Sequence, residues 1–169
     1  GGYIVEGAAH LNRVMTALGV KVAGSRGRAI RTLVWARARL RLRGLAFTPR
    51  PEASLAARDL ERVDGLFAAA TTFAMFDNLR GAAVQTEHLL RALPLGEERR
   101  VCRALATEVA YLSVQGPAAA RRARRLAEKV FALADRLGDP YLAYGAQMCA
   151  GFTTFFAGNF RGAIQAFTE

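Results

Sequence analysis

Apolar side chains recur every three or four residues along most of the chain. In residues 3–18, for example, Ile4, Ala8, Leu11 and Met15 fall on one stripe. This spacing is typical of an amphipathic α-helix that buries one face. The same pattern, divided by turns rich in glycine and proline, predicts eight helices joined by short loops and no strand. Their ranges are 3–18, 27–43, 56–76, 79–93, 97–114, 117–137, 141–157 and a last helix that begins after Gly158-Asn159.

One segment follows two patterns at once. Residues 36–43 alternate strictly between an apolar side chain and arginine, which is a strand signal. Alanine, leucine and arginine are nevertheless strong helix formers, and a strand without a partner is not stable. We therefore predict a helix, with Ile30, Leu33, Ala36 and Leu40 on its inner stripe.

An internal repeat accompanies the helical pattern. The residues Asn-Leu-Arg-Gly-Ala at 78–82 recur as Asn-Phe-Arg-Gly-Ala at 159–163, each time between an aromatic-rich helix and an amphipathic one. Ala127 and Phe131 also precede Ala163 and Phe167 by 36 residues. Helix–turn–helix repeats of about 34 residues are the signature of the tetratricopeptide family. Residues 150–167 resemble such a repeat. The residues that match are Gly151 at the small position of the first helix, Gly158 in the turn, and Phe160, Ala163 and Phe167 on the second helix.

A wider resemblance covers nearly the whole chain and rests on residues 32–47, 77–82 and 88–93. These stretches are similar to the helical, tetratricopeptide-like region found after the kinase and ATPase domains of large bacterial serine/threonine kinase signalling proteins. The resemblance implies an all-α fold, a right-handed solenoid of antiparallel helix pairs with about eight helices. It also implies a single non-catalytic scaffold domain over 1–169, which binds a protein, a peptide or other domains of the same chain.

The ends of the sequence lead to the same expectation. The chain begins at Gly1 instead of methionine and stops inside an amphipathic pattern. We therefore expect a fragment of a longer multidomain polypeptide, with any kinase and nucleotide-binding motifs upstream.

Composition and charge limit the class of protein and show where the charge is located. With 52% hydrophobic and 22% charged residues the chain can build a core, and no uncharged apolar run approaches the ~18 residues of a membrane span. The formal charge of +10 is concentrated in one place, because residues 21–50 hold nine basic side chains and no acidic one. The remainder of the chain is nearly neutral.

This basic segment, 21–50, contains the candidate binding residues Arg37, Arg39, Arg41 and Arg43. Arginine stems often cover apolar surface while their charged ends stay in water. Three functional alternatives stay open. The segment could dock an acidic partner or a neighbouring domain through arginine–carboxylate pairs, bind nucleic acid in a salt-dependent way, or form an interface within the parent protein.

No group of residues predicts catalysis, a metal or a cofactor. Residues 24–27, Gly-Ser-Arg-Gly, lack the Lys-Ser/Thr ending of a P-loop, and their GxxG match to an RNA-binding clamp lacks the strands of that fold. His10 and His88 have no partner at metal-ligand spacing, so we predict a helix surface or interface for both. Cys102 and Cys149 are predicted to be reduced core residues, which favours a cytoplasmic protein.

The aromatic side chains are predicted to form core, because at helical spacing a core is a commoner role than a ligand pocket. Trp35 is predicted to cap the core beside the basic helix, and the arginines of 121–125 to form a solvated face. The predicted aromatic core set is Phe67, Phe73, Phe76, Phe152, Phe155, Phe156, Phe160 and Phe167.

Overall fold

A computed structural model describes residues 25–168, together with residues 13, 15–17 and 19. The predicted helix over 3–18 and the loop that follows it lie almost entirely outside the described residues. Residues 25–168 form α-helices and one short 3₁₀-helix, Glu52–Ser54, with no strand among them. The all-α prediction is therefore confirmed, and the alternating residues 36–43 form a helix.

Seven α-helices follow one another between residues 25 and 168. The predicted helices agree with them to within about three residues at each end. The third predicted helix is shorter than expected and ends at Phe73, while the fourth continues past Pro94 to Leu95. The helices are α1 (Arg26–Arg43), α2 (Ala57–Phe73), α3 (Asn78–Leu95), α4 (Glu98–Ser113), α5 (Pro117–Leu137), α6 (Pro140–Phe156) and α7 (Phe160–Thr168).

The chain divides into two compact units, Gly1–Gly96 and Glu97–Glu169. In the first unit, α3 is the central helix, because both α1 and α2 pack on it. The buried side chains of α1 are Ala29, Ala36 and Leu40, and those of α2 include Leu66 and Phe73. Small residues on α1 let its backbone lie close to α3, while the larger residues of α2 fill the space between α2 and α3.

The connector between α1 and α2 is anchored to the end of α3. The Arg50 N–H donates to the Gly96 carbonyl oxygen at 2.9 Å. Gly96 ends α3 in the left-handed region, with φ at 77°, and a Cβ there would overlap the Thr48 carbonyl oxygen. Glycine is required at this position for its backbone angle and for the close approach of the connector.

In the second unit, α4 packs on α5 and α6, and α6 also packs on α5 and α7. Most side chains of α4 are buried. The Glu97 carboxylate caps α4 by accepting the Arg99 N–H at 3.1 Å and the Arg100 N–H at 2.9 Å. Asp139 likewise accepts the Tyr141 N–H at 2.9 Å at the start of α6. These caps satisfy backbone donors that the helices leave without partners.

Helices α6 and α7 approach each other closely at the residues that match the repeat. Gly151 is buried, and a Cβ there would overlap the ring of Phe167. Gly158 turns the chain with a φ of 84°, and Ala163 is buried at 1% exposure. Phe160 differs from the expectation, since 60% of its side chain is exposed.

Several apolar side chains predicted to be buried are exposed. Ile30 is 46% exposed, because the inward stripe of α1 passes through its neighbour Ala29. Trp35 is 68% exposed and does not cap the core. Within the predicted aromatic set, Phe73 is buried and Phe67 is half-buried. The others are exposed: Phe76, Phe152, Phe155, Phe156, Phe160 and Phe167.

Candidate functional site

Helix α1 carries the candidate binding residues, and its ends are well defined. The Ser25 hydroxyl accepts the Arg28 N–H at 3.4 Å and caps the first turn, so residues 25–27 begin a helix instead of a phosphate- or RNA-binding loop. The Gly44 N–H donates to the Leu40 carbonyl oxygen at 2.9 Å and ends it. Between these ends α1 has 18 residues, a length of about 27 Å.

The four predicted binding arginines have different surroundings. Arg43 donates through Nη1 to the carbonyl oxygens of Gly44 and Ala46, at 3.0 and 2.8 Å, and so holds the start of the connector. Arg37 is half-buried, whereas Arg39 and Arg41 are exposed. By helical periodicity Arg39 and Arg41 point in different directions, so the four arginines do not form one patch.

Further residues on α1 form an exposed surface around Trp35 that the sequence pattern did not predict. Arg31 and Arg39 lie one turn to either side of Trp35, and Arg28 and Leu42 lie two turns to either side. We call these five residues the Trp35 ridge. All five are exposed, Trp35 at 68% and Leu42 at 90%. The i, i+4 spacing around the only tryptophan was the available signal.

A second exposed apolar surface lies on α6 and α7. The rings of Phe155 and Phe160 meet edge to face, with centroids 5.3 Å apart, and Phe155 makes a similar contact with Phe156. Ile164 on α7 is 66% exposed. The buried residues of α6 and α7 include the small residues Ala146, Gly151 and Ala163, whereas the rings of this aromatic surface are exposed.

A cleft of about 340 Å³ opens beside the start of α3. Among its lining residues, Asp77 accepts the Arg80 N–H at 3.0 Å and pairs with the Arg80 guanidinium at 3.2 Å. These contacts cap the helix and compensate the charges of both side chains. The two charged side chains Asp77 and Arg80 in the cleft therefore have a structural role at the start of α3. Its lining comprises Arg26, Ala29, Phe76, Asp77, Asn78, Leu79 and Arg80.

His88 is fully buried on α3, so it does not lie on the helix surface, and of the two predicted alternatives only an interface position agrees with its burial. Its Nδ1 lies 3.2 Å from the Gln85 Oε1, and its ring centroid lies 6.0 Å from that of Phe67. The physical reason is the central position of α3, which is covered by both α1 and α2. His10 lies outside the described residues.

Cys102 and Cys149 are free and buried, as predicted. Burial raises the pKa of the Cys102 thiol to about 11 and that of the Cys149 thiol to about 12. The Cys149 thiol also contacts the Ala106 carbonyl oxygen at 3.0 Å. Both thiols are therefore protonated near neutral pH and are poor nucleophiles.

Across 25–168 and the few residues described before them, no three His, Cys, Asp or Glu side chains are grouped to hold a metal. No helix in this part of the chain is long and apolar enough to cross a membrane.

No protein-family model, curated protein or solved structure matches the chain. The resemblance to tetratricopeptide repeats and to the helical region of bacterial kinases stays a prediction from sequence. A function must therefore be argued from the surfaces described above.

Proposed function

We propose that the chain is a non-catalytic interaction scaffold that binds a partner protein or another domain of its own polypeptide. The observation that carries this proposal is the exposure of Trp35 among arginines on α1. Tryptophan and arginine are enriched in the residues that dominate protein interfaces, and exposed apolar surface of this kind is typical of binding sites.

We further propose that its helices form a right-handed, tetratricopeptide-like solenoid. Support comes from the packing order of the second unit, where α4 contacts both its neighbour α5 and the next helix but one, α6. Stacked helix pairs have this pattern, because each pair buries its apolar face against the next. The contact of Gly151 with Phe167 supplies the close approach within one pair.

For the biological context we propose a large bacterial serine/threonine kinase–ATPase signalling protein in the cytoplasm. The sequence resemblance over 32–47, 77–82 and 88–93 supports this context, and the free state of both cysteines agrees with a reducing compartment.

The reading frame of the parent gene provides the first test, since kinase and nucleotide-binding motifs should precede this segment. The second test deletes residues 25–168 from the parent protein. We expect phosphorylation of a generic peptide substrate to stay within about twofold of the undeleted protein, because the segment holds no catalytic group, and phosphorylation of the bound partner to be lost. Loss of generic activity would contradict the non-catalytic role, and a frame without kinase motifs would contradict the context.

The alternative function is binding of nucleic acid or another acidic partner through the basic segment 21–50. The excess of nine basic residues and the exposure of Arg39 and Arg41 favour it. Such binding would weaken steeply with salt. A titration with a 20-base-pair DNA duplex and a single-stranded RNA at low salt tests the nucleic-acid alternative, and the absence of binding there would exclude nucleic acid as the partner.

A further inference from the structure

We propose that the Trp35 ridge docks an amphipathic helix of a partner protein whose apolar side chains are flanked by carboxylates. The inference rests on the proposed scaffold function and specifies its partner. The ridge is one face of α1. The residues that α1 buries are Ala29, Ala36 and Leu40, so the ridge faces away from α3.

The geometry of α1 sets the length and register of the partner. From Arg28 to Leu42 the ridge extends over about 21 Å, at 1.5 Å a residue. Trp35 and Leu42 are two turns apart and lie on the same side of the helix. A partner helix of four turns, with apolar residues every three or four positions, would cover both side chains along one line.

The chemistry of the ridge selects for acidic flanks. Arg31 and Arg39 are exposed, and none of the ion pairs formed between described residues includes them. Residues 21–50 contain no acidic side chain that could pair with them locally. A guanidinium binds a carboxylate through two parallel hydrogen bonds, so glutamates beside the apolar positions of a partner would complement both arginines.

The alternation of arginine with apolar residues favours a protein partner over nucleic acid or lipid. Phosphates could pair with Arg31 and Arg39, but they would leave Trp35 and Leu42 in water. A helix lying on a lipid surface presents a continuous apolar face. On the ridge, arginines stand one turn before and one turn after Trp35, so that face is interrupted.

Trp35 makes the proposal directly measurable, because it is the only tryptophan in the chain. The probe is a synthetic 18-residue helical peptide with leucine at heptad positions a and d and glutamate at e and g. A matched peptide carries lysine in place of glutamate. We expect the glutamate peptide to shift the Trp35 emission to shorter wavelength and to bind at least about tenfold more tightly than the lysine peptide.

The double variant Arg31→Glu/Arg39→Glu should weaken binding of the glutamate peptide by about tenfold or more, because it replaces two attractive charge pairs with two repulsive ones. Arg121→Glu/Arg125→Glu makes the same charge change at two exposed arginines of α5 and should retain binding. Thermal unfolding confirms that each variant is folded, and Arg31→Gln/Arg39→Gln replaces the first variant if it is not.

Equal binding of the two peptides, equal loss in both double variants, or no binding of the glutamate peptide would overturn the proposal. So would an emission shift seen only with a 20-base-pair DNA duplex or only with vesicles of phosphatidylcholine and phosphatidylserine. Any of these results would leave the scaffold function open, because the deletion in the parent protein tests that function without reference to Trp35.

Discussion

The ring of Phe167 on α7 occupies the space that a side chain at Gly151 on α6 would fill. A Cβ at Gly151 would lie 2.7 Å from the Cδ1 and Cζ atoms of Phe167, well inside van der Waals contact. Gly145, six residues earlier on the same helix, has no neighbouring atom within 4 Å of the corresponding position. A side chain therefore has no room at Gly151 but has free space at Gly145.

Alanine at these two positions should change stability in opposite directions. Gly151→Ala should lower the free energy of unfolding by about 1–3 kcal/mol, because the new methyl group forces the α6–α7 contact apart. Gly145→Ala should raise it by about 0.5–1 kcal/mol, since alanine loses less backbone entropy in a helix. Urea unfolding followed by far-UV circular dichroism measures both. A stable Gly151→Ala protein would show that the two helices do not approach closely.

The cap of α3 offers a second test at Asp77. Asp77→Ala removes the acceptor for the Arg80 N–H and the ion pair with the Arg80 guanidinium, so we expect a loss of about 1 kcal/mol. Asp77→Asn keeps a side-chain oxygen and should lose only a few tenths of a kcal/mol, the contribution of the charge. Urea unfolding gives both values. Equal losses in the two variants would assign the effect to charge instead of capping.

Burial of His88 predicts a large effect of its removal. His88→Ala should lower the free energy of unfolding by about 2–4 kcal/mol, because it leaves a cavity beside Phe67 and removes the contact with Gln85. The control is Glu87→Ala on the same helix, where loss of the 2.8 Å ion pair with Arg91 should cost about 0.5 kcal/mol or less. Similar small effects in both variants would place His88 on the surface after all.

Burial of the two thiols predicts a slow reaction with thiol reagents and a specific dependence of stability on pH. At pH 8 neither Cys102 nor Cys149 should react with a thiol reagent in the folded protein, whereas both should react in denaturant. In the folded protein their pKa values are raised to about 11 and about 12, above the ordinary thiol value of 9.0. The unfolded chain therefore releases these protons first, and stability falls as pH rises above 9.

Urea unfolding at several pH values between 8 and 10 checks this dependence. Each thiol contributes a slope of at most about 1.4 kcal/mol per pH unit. The slope should be shallower in the Cys102→Ala/Cys149→Ala variant, which has no thiol to ionise. The same slope in both proteins would contradict the raised pKa values.

The repeated residues show that positions matched in sequence are not equivalent in the structure. In sequence, Asn78 matches Asn159. In the structure, however, Asp77 caps α3, whereas Asn159 caps α7 by accepting the Gly162 N–H at 3.0 Å. The residues that occupy equivalent buried positions after these caps are Gly81 and Ala163, one step out of register with the sequence match. Capping depends on backbone geometry at the turn, which residue identity alone does not specify.

Local sequence alone predicts the helices within residues 25–168, most of their boundaries and the burial of both cysteines. These properties follow from local periodicity, from turn residues and from the preference of thiols for the core, so they need no knowledge of neighbouring helices. The repeat pattern also placed Gly151 at the small position of its helix, but the contact of Gly151 with the Phe167 ring is known only from the structure.

Which face of each helix is covered follows only from the packing of neighbouring helices. His88 is buried because α3 is the central helix of its unit, and Trp35 is exposed because α1 packs through Ala29, Ala36 and Leu40. A helical pattern reveals an apolar stripe, but it does not reveal which of two apolar faces meets a neighbour. That choice depends on the size of the side chains that let two helices approach, and on α1 it leaves Trp35 and its flanking arginines facing outward.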